Sequence, residues 1–197
     1  MSDSEKILEL AKKNQGFVTT KEVVKNNLNK MALKRLCDKK KLEKISTGNY
    51  CLPNTLVDDF YVTISKSKNA VYSHETALYL HNLSDRVPLC LNITVPIGYG
   101  GNLQQDNNVL LHYVNKNLLN LGVETIKSPF DNDIRCYDVE RTICDIIKDK
   151  YNLDKEIYTK ALKWYARRKE KDILKLNKYA EALNIKEEVI EIMRIIL

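Results

Sequence analysis

Residues 29–52 read NKMALKRLCDKKKLEKISTGNYCL, and this stretch leaves the chain few ways to fold. Its first half carries apolar residues at helical spacing, Leu33, Leu36 and Cys37. Lys30, Lys34, Arg35, Lys39, Lys40 and Lys41 occupy the other faces. That pattern predicts an amphipathic helix with one buried stripe. The second half has strand spacing, with Leu42 and Ile45, then Tyr50 and Leu52, and folds back at Ser46-Thr47-Gly48-Asn49. Glycine beside asparagine suits the positive φ of a tight hairpin turn. A strongly basic helix therefore runs straight into a short hairpin.

Two more helices precede it. Ser4 is placed to cap the first, over residues 4–14, with Glu5 at its positive end and Ile7, Leu8, Leu10 and Ala11 as its buried stripe. Gly16 ends it, and Phe17-Val18 is a short extended link. Thr19-x-x-Glu22 has the spacing of a capping box, so a second helix starts at Thr20 and buries Val23 and Val24. Asn26-Asn27 ends that helix, because asparagine tolerates the left-handed conformation, and Asn29 caps the third. Helix, helix, tight turn, helix and hairpin within residues 1–53 is the arrangement of a winged helix-turn-helix. There the third helix lies in the major groove and the second braces it against the backbone.

Charge points the same way. Residues 1–53 hold 12 Lys and Arg against 6 Asp and Glu, while residues 54–197 hold 20 of each, so the whole net charge of +6 lies in the first quarter. A basic module joined to a neutral one suits a polyanion-binding domain with a partner domain. The expected DNA contacts follow from position. Thr20 and Lys21 meet the backbone from the start of the second helix. Lys34 and Arg35 reach DNA from the third, where Asn29 and Arg35 have the chemistry to read base edges. Lys30, Lys34, Lys39, Lys40 and Lys41 neutralise phosphates, and Lys44, Thr47 and Asn49 come from the wing.

Pro53-Asn54 is the expected hinge to a second domain, residues 54–197. Its pattern predicts a strand over 60–64, a Lys66-Ser67-Lys68-Asn69 turn, and an extended piece at 70–72. Ser73 then caps a helix to about residue 82, with Ala77, Leu78 and Leu80 facing the core. Strands follow at 89–95, 109–114, 123–126 and 134–137. Asp138 caps a helix to residue 148 whose apolar set is Val139, Ile143, Cys144, Ile146 and Ile147, and helices fill 154–168, 171–183 and 186–196. The expected fold is α+β: an N-terminal winged helix-turn-helix, a small mixed sheet with helices, and a helical C-terminal tail.

Other function classes find less support. No apolar run approaches the about 18 residues that cross a bilayer, and the N-terminus lacks a signal-peptide pattern, so the expected setting is cytoplasmic. Five cysteines, an odd number without a CxxC, read as reduced thiols. His74 and His81 stand seven apart on one helix, too far for one metal, and His112 lies inside a strand. A metal nuclease needs converging carboxylates beside a lysine, and Glu124 and Lys127 fall on opposite faces of their strand. Asp138, Glu140 and Asp145 are read as capping and pairing groups around Arg141. The loop Gly98-Tyr99-Gly100-Gly101 lacks GxxxxGK[ST] and is read as a turn. No metal, cofactor or catalytic residue is expected. Lys163, Arg167, Arg168 and Lys169, around Trp164, form a second basic patch that suits either solvent, nucleic acid or a partner. An effector-gated regulator with a small-molecule-binding second domain is the alternative reading.

Several segments resemble one family. GFVTTKEV and LNKMALKRLCDKKKLEKISTGNYCLP are similar to the winged helix of AbiEi-type antitoxins. YSHETALYLHNLSD, NITVP and YDVERTICDII resemble the corresponding segments of that family's second domain, in the same order. The resemblance implies a bacterial antitoxin of a type IV, abortive-infection toxin–antitoxin pair that acts in phage defence. It also implies autorepression at inverted repeats in the operon's own promoter. Its functional partner would be a nucleotidyltransferase-like toxin, counteracted without a stable complex. The chain departs from the family at Lys40, where glycine is common, and at its wing, which has Ser46 and Thr47 at the tip in place of basic residues.

Overall fold

The computed structural model describes residues 2–196, and the chain forms two compact units, Met1–Val62 and Thr63–Leu197. The first contains α1 (Asp3–Lys13), β1 (Phe17–Thr19), α2 (Thr20–Lys25), α3 (Met31–Asp38), β2 (Glu43–Ser46) and β3 (Asn49–Cys51). The strands make an antiparallel sheet in the order β1-β3-β2. This is a winged helix. Phe17 and Val18, expected only as a link, pair with Cys51 and Tyr50 and form the sheet's outer strand. Ile7, Ala11, Val18, Val23, Leu33, Leu36 and Leu42 make one core.

Local chemistry corrects two expectations here. Ser2, not Ser4, caps α1: its Oγ accepts the Glu5 amide at 3.3 Å, and Glu5 Oε2 accepts the Ser2 amide at 2.7 Å. The S-x-x-E spacing of a capping box fits Ser2 and not Ser4. Val24 is 55% exposed, because a helix as short as α2 turns only Val23 inward.

The first unit continues beyond Pro53-Asn54 to Val62, inside α4 (Asp59–Ser65). A strand was expected at 60–64 from its aromatic and β-branched residues. Asp58 overrides that preference: its Oδ1 accepts the Tyr61 amide at 3.1 Å and its carbonyl accepts the Val62 amide at 2.9 Å. A good N-cap commits the next turn to helix, whereas β propensity depends on a neighbouring strand being present.

The second unit contains β4 (Val71–Tyr72), α5 (His74–Leu80), β5 (Leu91–Pro96), β6 (Val109–Val114), β7 (Val123–Lys127) and β8 (Asp133–Tyr137). Then come α6 (Val139–Lys148), α7 (Lys155–Arg167), α8 (Ile173–Ala182) and α9 (Lys186–Ile196). The sheet order is β6-β5-β4-β8-β7, parallel at β5/β6 and β4/β8 and antiparallel at β4/β5 and β7/β8. Ile143, Ile146 and Ile147 of α6 share a core with Leu78, Leu162, Leu176 and Val189.

Every residue of α6 from Val139 to Ile147 is buried, including Glu140, Arg141 and Asp145. Each charge has partners. Arg141 Nε donates to Asp145 Oδ1 at 3.0 Å, its Nη1 donates to the carbonyls of Leu118 and Leu121, and its guanidinium lies 4.2 Å from the Tyr137 ring centre. Asp138 Oδ1 accepts the Arg141 amide at 2.8 Å, while Oδ2 accepts the Tyr179 hydroxyl at 2.9 Å and faces Lys175 at 3.0 Å. Glu140 Oε1 accepts the Asp172 amide. Gly122 has φ 78° and packs so closely on Arg141 that a Cβ there would lie 2.6 Å from the arginine Cβ.

Ser73 stands at the cap position of α5, but its hydroxyl makes no capping bond. Instead its Oγ accepts from Thr94 at 2.8 Å and bonds His74 Nδ1 at 2.9 Å. Three cysteines, 51, 136 and 144, are buried, Cys37 is partly so, Cys90 is exposed, and all five are free. Among the described residues no helix is long and apolar enough to cross a membrane.

Candidate nucleic-acid interface

The interface is built on α3. Ala32, Leu33 and Leu36 anchor the helix in the core. Met31, Lys34, Arg35 and Asp38, at i, i+3, i+4 and i+7, therefore share the outward face, and all four are exposed. Met31 and Asp38 were missed by a reading that looked only for positive charge, although helical spacing marks them. Asn29 does cap α3: its Oδ1 accepts the Met31 amide at 2.9 Å. That bond occupies the oxygen which a bidentate contact to adenine requires.

Lys39, Lys40 and Lys41 leave the helix through a left-handed cap. The Lys41 amide donates to the Leu36 carbonyl and the Lys40 amide to the Cys37 carbonyl, both at 2.9 Å, and Lys40 has φ 53°. This is the Schellman arrangement in which glycine is commonest. The turn keeps its geometry with lysine in that place, and the three ammonium groups stay exposed at the end of the helix.

The wing is the β2–β3 hairpin, which turns through Thr47 and Gly48, with Gly48 at φ 84°. The Thr20 amide donates to the Gly48 carbonyl at 2.8 Å. α2 itself opens on the expected capping box: Thr19 Oγ1 accepts the Glu22 amide at 3.1 Å, and Glu22 Oε2 accepts the Thr19 amide at 2.7 Å. The folded unit thus brings Thr20 of α2 against the wing turn that carries Thr47 and Asn49. Lys21, Lys44 and Thr47 are exposed, while Thr20 and Asn49 are partly covered. Among the described residues, no ion pair engages Lys21, Lys30, Lys34, Arg35, Lys39, Lys40, Lys41 or Lys44.

The second basic patch divides. Lys163 and Arg167 are exposed on α7 and Lys169 is exposed just after it. Arg168 ends the helix, its amide donating to the carbonyls of Trp164 and Tyr165, and its side chain pairs with Glu170 at 3.7 Å. Among the histidines, His81 Nε2 donates to the Tyr137 carbonyl at 2.7 Å and ties α5 to β8. His74 instead stacks on His112, with ring centres 3.5 Å apart.

Residues 5–53 match the family described as transcriptional regulator, AbiEi antitoxin. Among solved structures, the crystal structure of the RV2827C protein from Mycobacterium tuberculosis superposes with a TM-score of 0.65 over 94% of this chain and 76% of that one. The two are 12% identical, so the likeness concerns the fold. No curated protein matches the chain. The family match falls on the same residues as the winged helix and its basic outward helix.

Proposed function

We propose that this protein is a DNA-binding antitoxin that represses its own operon and opposes a nucleotidyltransferase-like toxin in a type IV, abortive-infection pair active in phage defence. The observation that carries the reading is the family match over a winged helix whose outward helix exposes Lys34 and Arg35. The protein works in the cytoplasm, without catalysis of its own and without a stable complex with its toxin. Residues 1–53 bind inverted repeats in the promoter, and residues 54–197 supply antitoxicity.

Arg35 reads base edges, whereas Lys30, Lys34, Lys39, Lys40 and Lys41 hold phosphates. Thr20, Lys21, Lys44, Thr47 and Asn49 fix the docking of α2 and the wing. Arg35→Ala then costs ~1–3 kcal/mol on the specific site if the guanidinium meets a base. Lys34→Ala weakens all sequences alike and lowers the salt slope by about one. The test is a gel shift on the protein's own promoter, beside a growth assay with the toxin co-expressed. The Lys34/Arg35 double alanine variant of the full chain is expected to lose the shift and keep the rescue. An unchanged shift would refute the role of α3, and lost rescue by a folded variant would refute the division of labour.

A cleft of about 390 Å³ in the second unit, with Thr94, His112 and Lys148 in its lining, favours a second reading, an effector-gated regulator. A ligand that raises the melting temperature and changes operator affinity would select it.

A further inference from the structure

Three residues distant in sequence meet at one end of that cleft. His74 opens α5, His112 lies within β6, and Asp149 caps the C-terminus of α6. One potential ligand atom from each lies within 4.8 Å of the others. We propose that the second unit binds one divalent transition-metal ion of the zinc type through His74, His112 and Asp149, with an open coordination position facing the cleft.

The surrounding bonds orient the ligands. His112 Nε2 donates to Asn92 Oδ1 at 2.9 Å, which leaves Nδ1 with its lone pair 4.0 Å from Asp149 Oδ2. His74 Nδ1 is held by Ser73 Oγ, which leaves Nε2. A metal-binding imidazole characteristically has its second nitrogen anchored in this way. Asn92 is itself fixed, for its amide donates to Thr76 Oγ1 at 2.7 Å and its side-chain NH2 to the Cys90 carbonyl. Thr94 in turn donates to Ser73 Oγ at 2.8 Å, so Ser73, Thr76 and Thr94 hold the two imidazoles from behind. His74 also carries φ 49°, a left-handed conformation at the first residue of a helix. Strain of that kind persists where the surroundings hold a side chain in a particular place.

Two nitrogens and one carboxylate oxygen suit zinc, cobalt or nickel better than magnesium or calcium. Zinc–ligand bonds of ~2.0–2.2 Å require the ligand atoms to close in. That closure would turn one imidazole out of the stack about its soft terminal torsion. Asp145, one turn before Asp149, lines the same cleft and is buried, and its Oδ2 has no hydrogen-bond partner. It adds a buried carboxylate to the lining beside Asp149. His81 does not belong to the site, because the Tyr137 carbonyl holds its Nε2.

The experiment uses the full chain, stripped with chelator and titrated with Zn²⁺ by calorimetry and with Co²⁺ by absorption. One ion per chain is expected, with at least about tenfold weaker binding for His112→Gln and for Asp149→Asn and no change for His81→Gln. Both replacements keep the size of partly exposed side chains, and circular dichroism checks that the metal-free variants remain folded. The wild-type stoichiometry stands independently of the variants. Absence of stoichiometric binding overturns the site, as does binding that survives both substitutions. A thiolate charge-transfer band from Co²⁺ would assign the ion to cysteine and overturn it equally.

Discussion

The Thr20 amide donates to the Gly48 carbonyl at 2.8 Å, so the first residue of α2 and the turn of the wing form one corner of the winged-helix unit. Gly48 holds φ 84°, and a Cβ added there would approach the Thr20 side chain, Oγ1 at 3.7 Å and Cβ at 4.0 Å. Space is not the constraint; backbone conformation is. Gly48→Ala is expected to destabilise the protein by about 1–2 kcal/mol, as measured by urea denaturation. Promoter affinity should fall with it, because the corner that positions Lys21 and Thr47 loosens. An unchanged denaturation midpoint would show that the turn does not need this conformation.

Lys40 poses the opposite case. It is a non-glycine residue at φ 53° in a cap that glycine favours. Lys40→Gly should stabilise the fold by about 1 kcal/mol through relief of the left-handed strain. The same change removes a proposed phosphate contact and should reduce the salt slope of DNA binding by about one. Stability and affinity measured on one variant should therefore move in opposite directions.

Arg141 and Asp145 form an ion pair inside the second unit, with side chains 1% and 7% exposed. Removing one partner strands the other. Arg141→Met is expected to cost ~3–5 kcal/mol, since it leaves a buried carboxylate and takes the guanidinium from the carbonyls of Leu118 and Leu121. Arg141→Met combined with Asp145→Leu should cost clearly less than the sum of the single changes. Additivity in a double-mutant cycle would argue that the two charges do not interact.

The His74–His112 stack predicts a pH dependence in chelator-containing buffer. Burial lowers both groups; His112, Arg141 and Lys148 add to the effect at His74, and Asp149 opposes it at His112. An imidazole lowered in the folded state binds fewer protons there than in the unfolded chain, so stability rises with pH. The contribution is complete above the unfolded value of about 6.5 and is lost as pH falls through it towards the folded values. Urea midpoints should therefore drop from about pH 7.5 to about pH 5, by up to about 1.4 kcal/mol per pH unit for each group. His112→Gln should make the slope shallower, and an equal slope in that variant would assign the dependence elsewhere.

Much of the winged-helix unit was legible residue by residue, because its signals are local. The Thr19–Glu22 box, the asparagine turn and the glycine of the wing each act within four residues of chain. The Ser2 cap was legible too, in the S-x-x-E spacing. Asp58 shows how one capping side chain outweighs a run of residues with strand preference. In the second unit, the Asp138 cap and the Arg141–Asp145 pair followed from helical spacing alone.

Local sequence was enough for the basic helix α3, its hairpin and the order of most elements, since periodicity, caps and turns are short-range and recur wherever their residues do. Tertiary structure alone decided which distant groups meet. Phe17 and Val18 became a strand only because β3 offered a free edge. His74 was set beside His81 in the sequence. The fold turned it instead to His112 and Asp149, because the parallel pairing of β5 with β6 lays His112 beside Thr94, whose hydroxyl bonds Ser73 next to His74. Spacing along one helix carries no information about a residue 38 positions away on another strand.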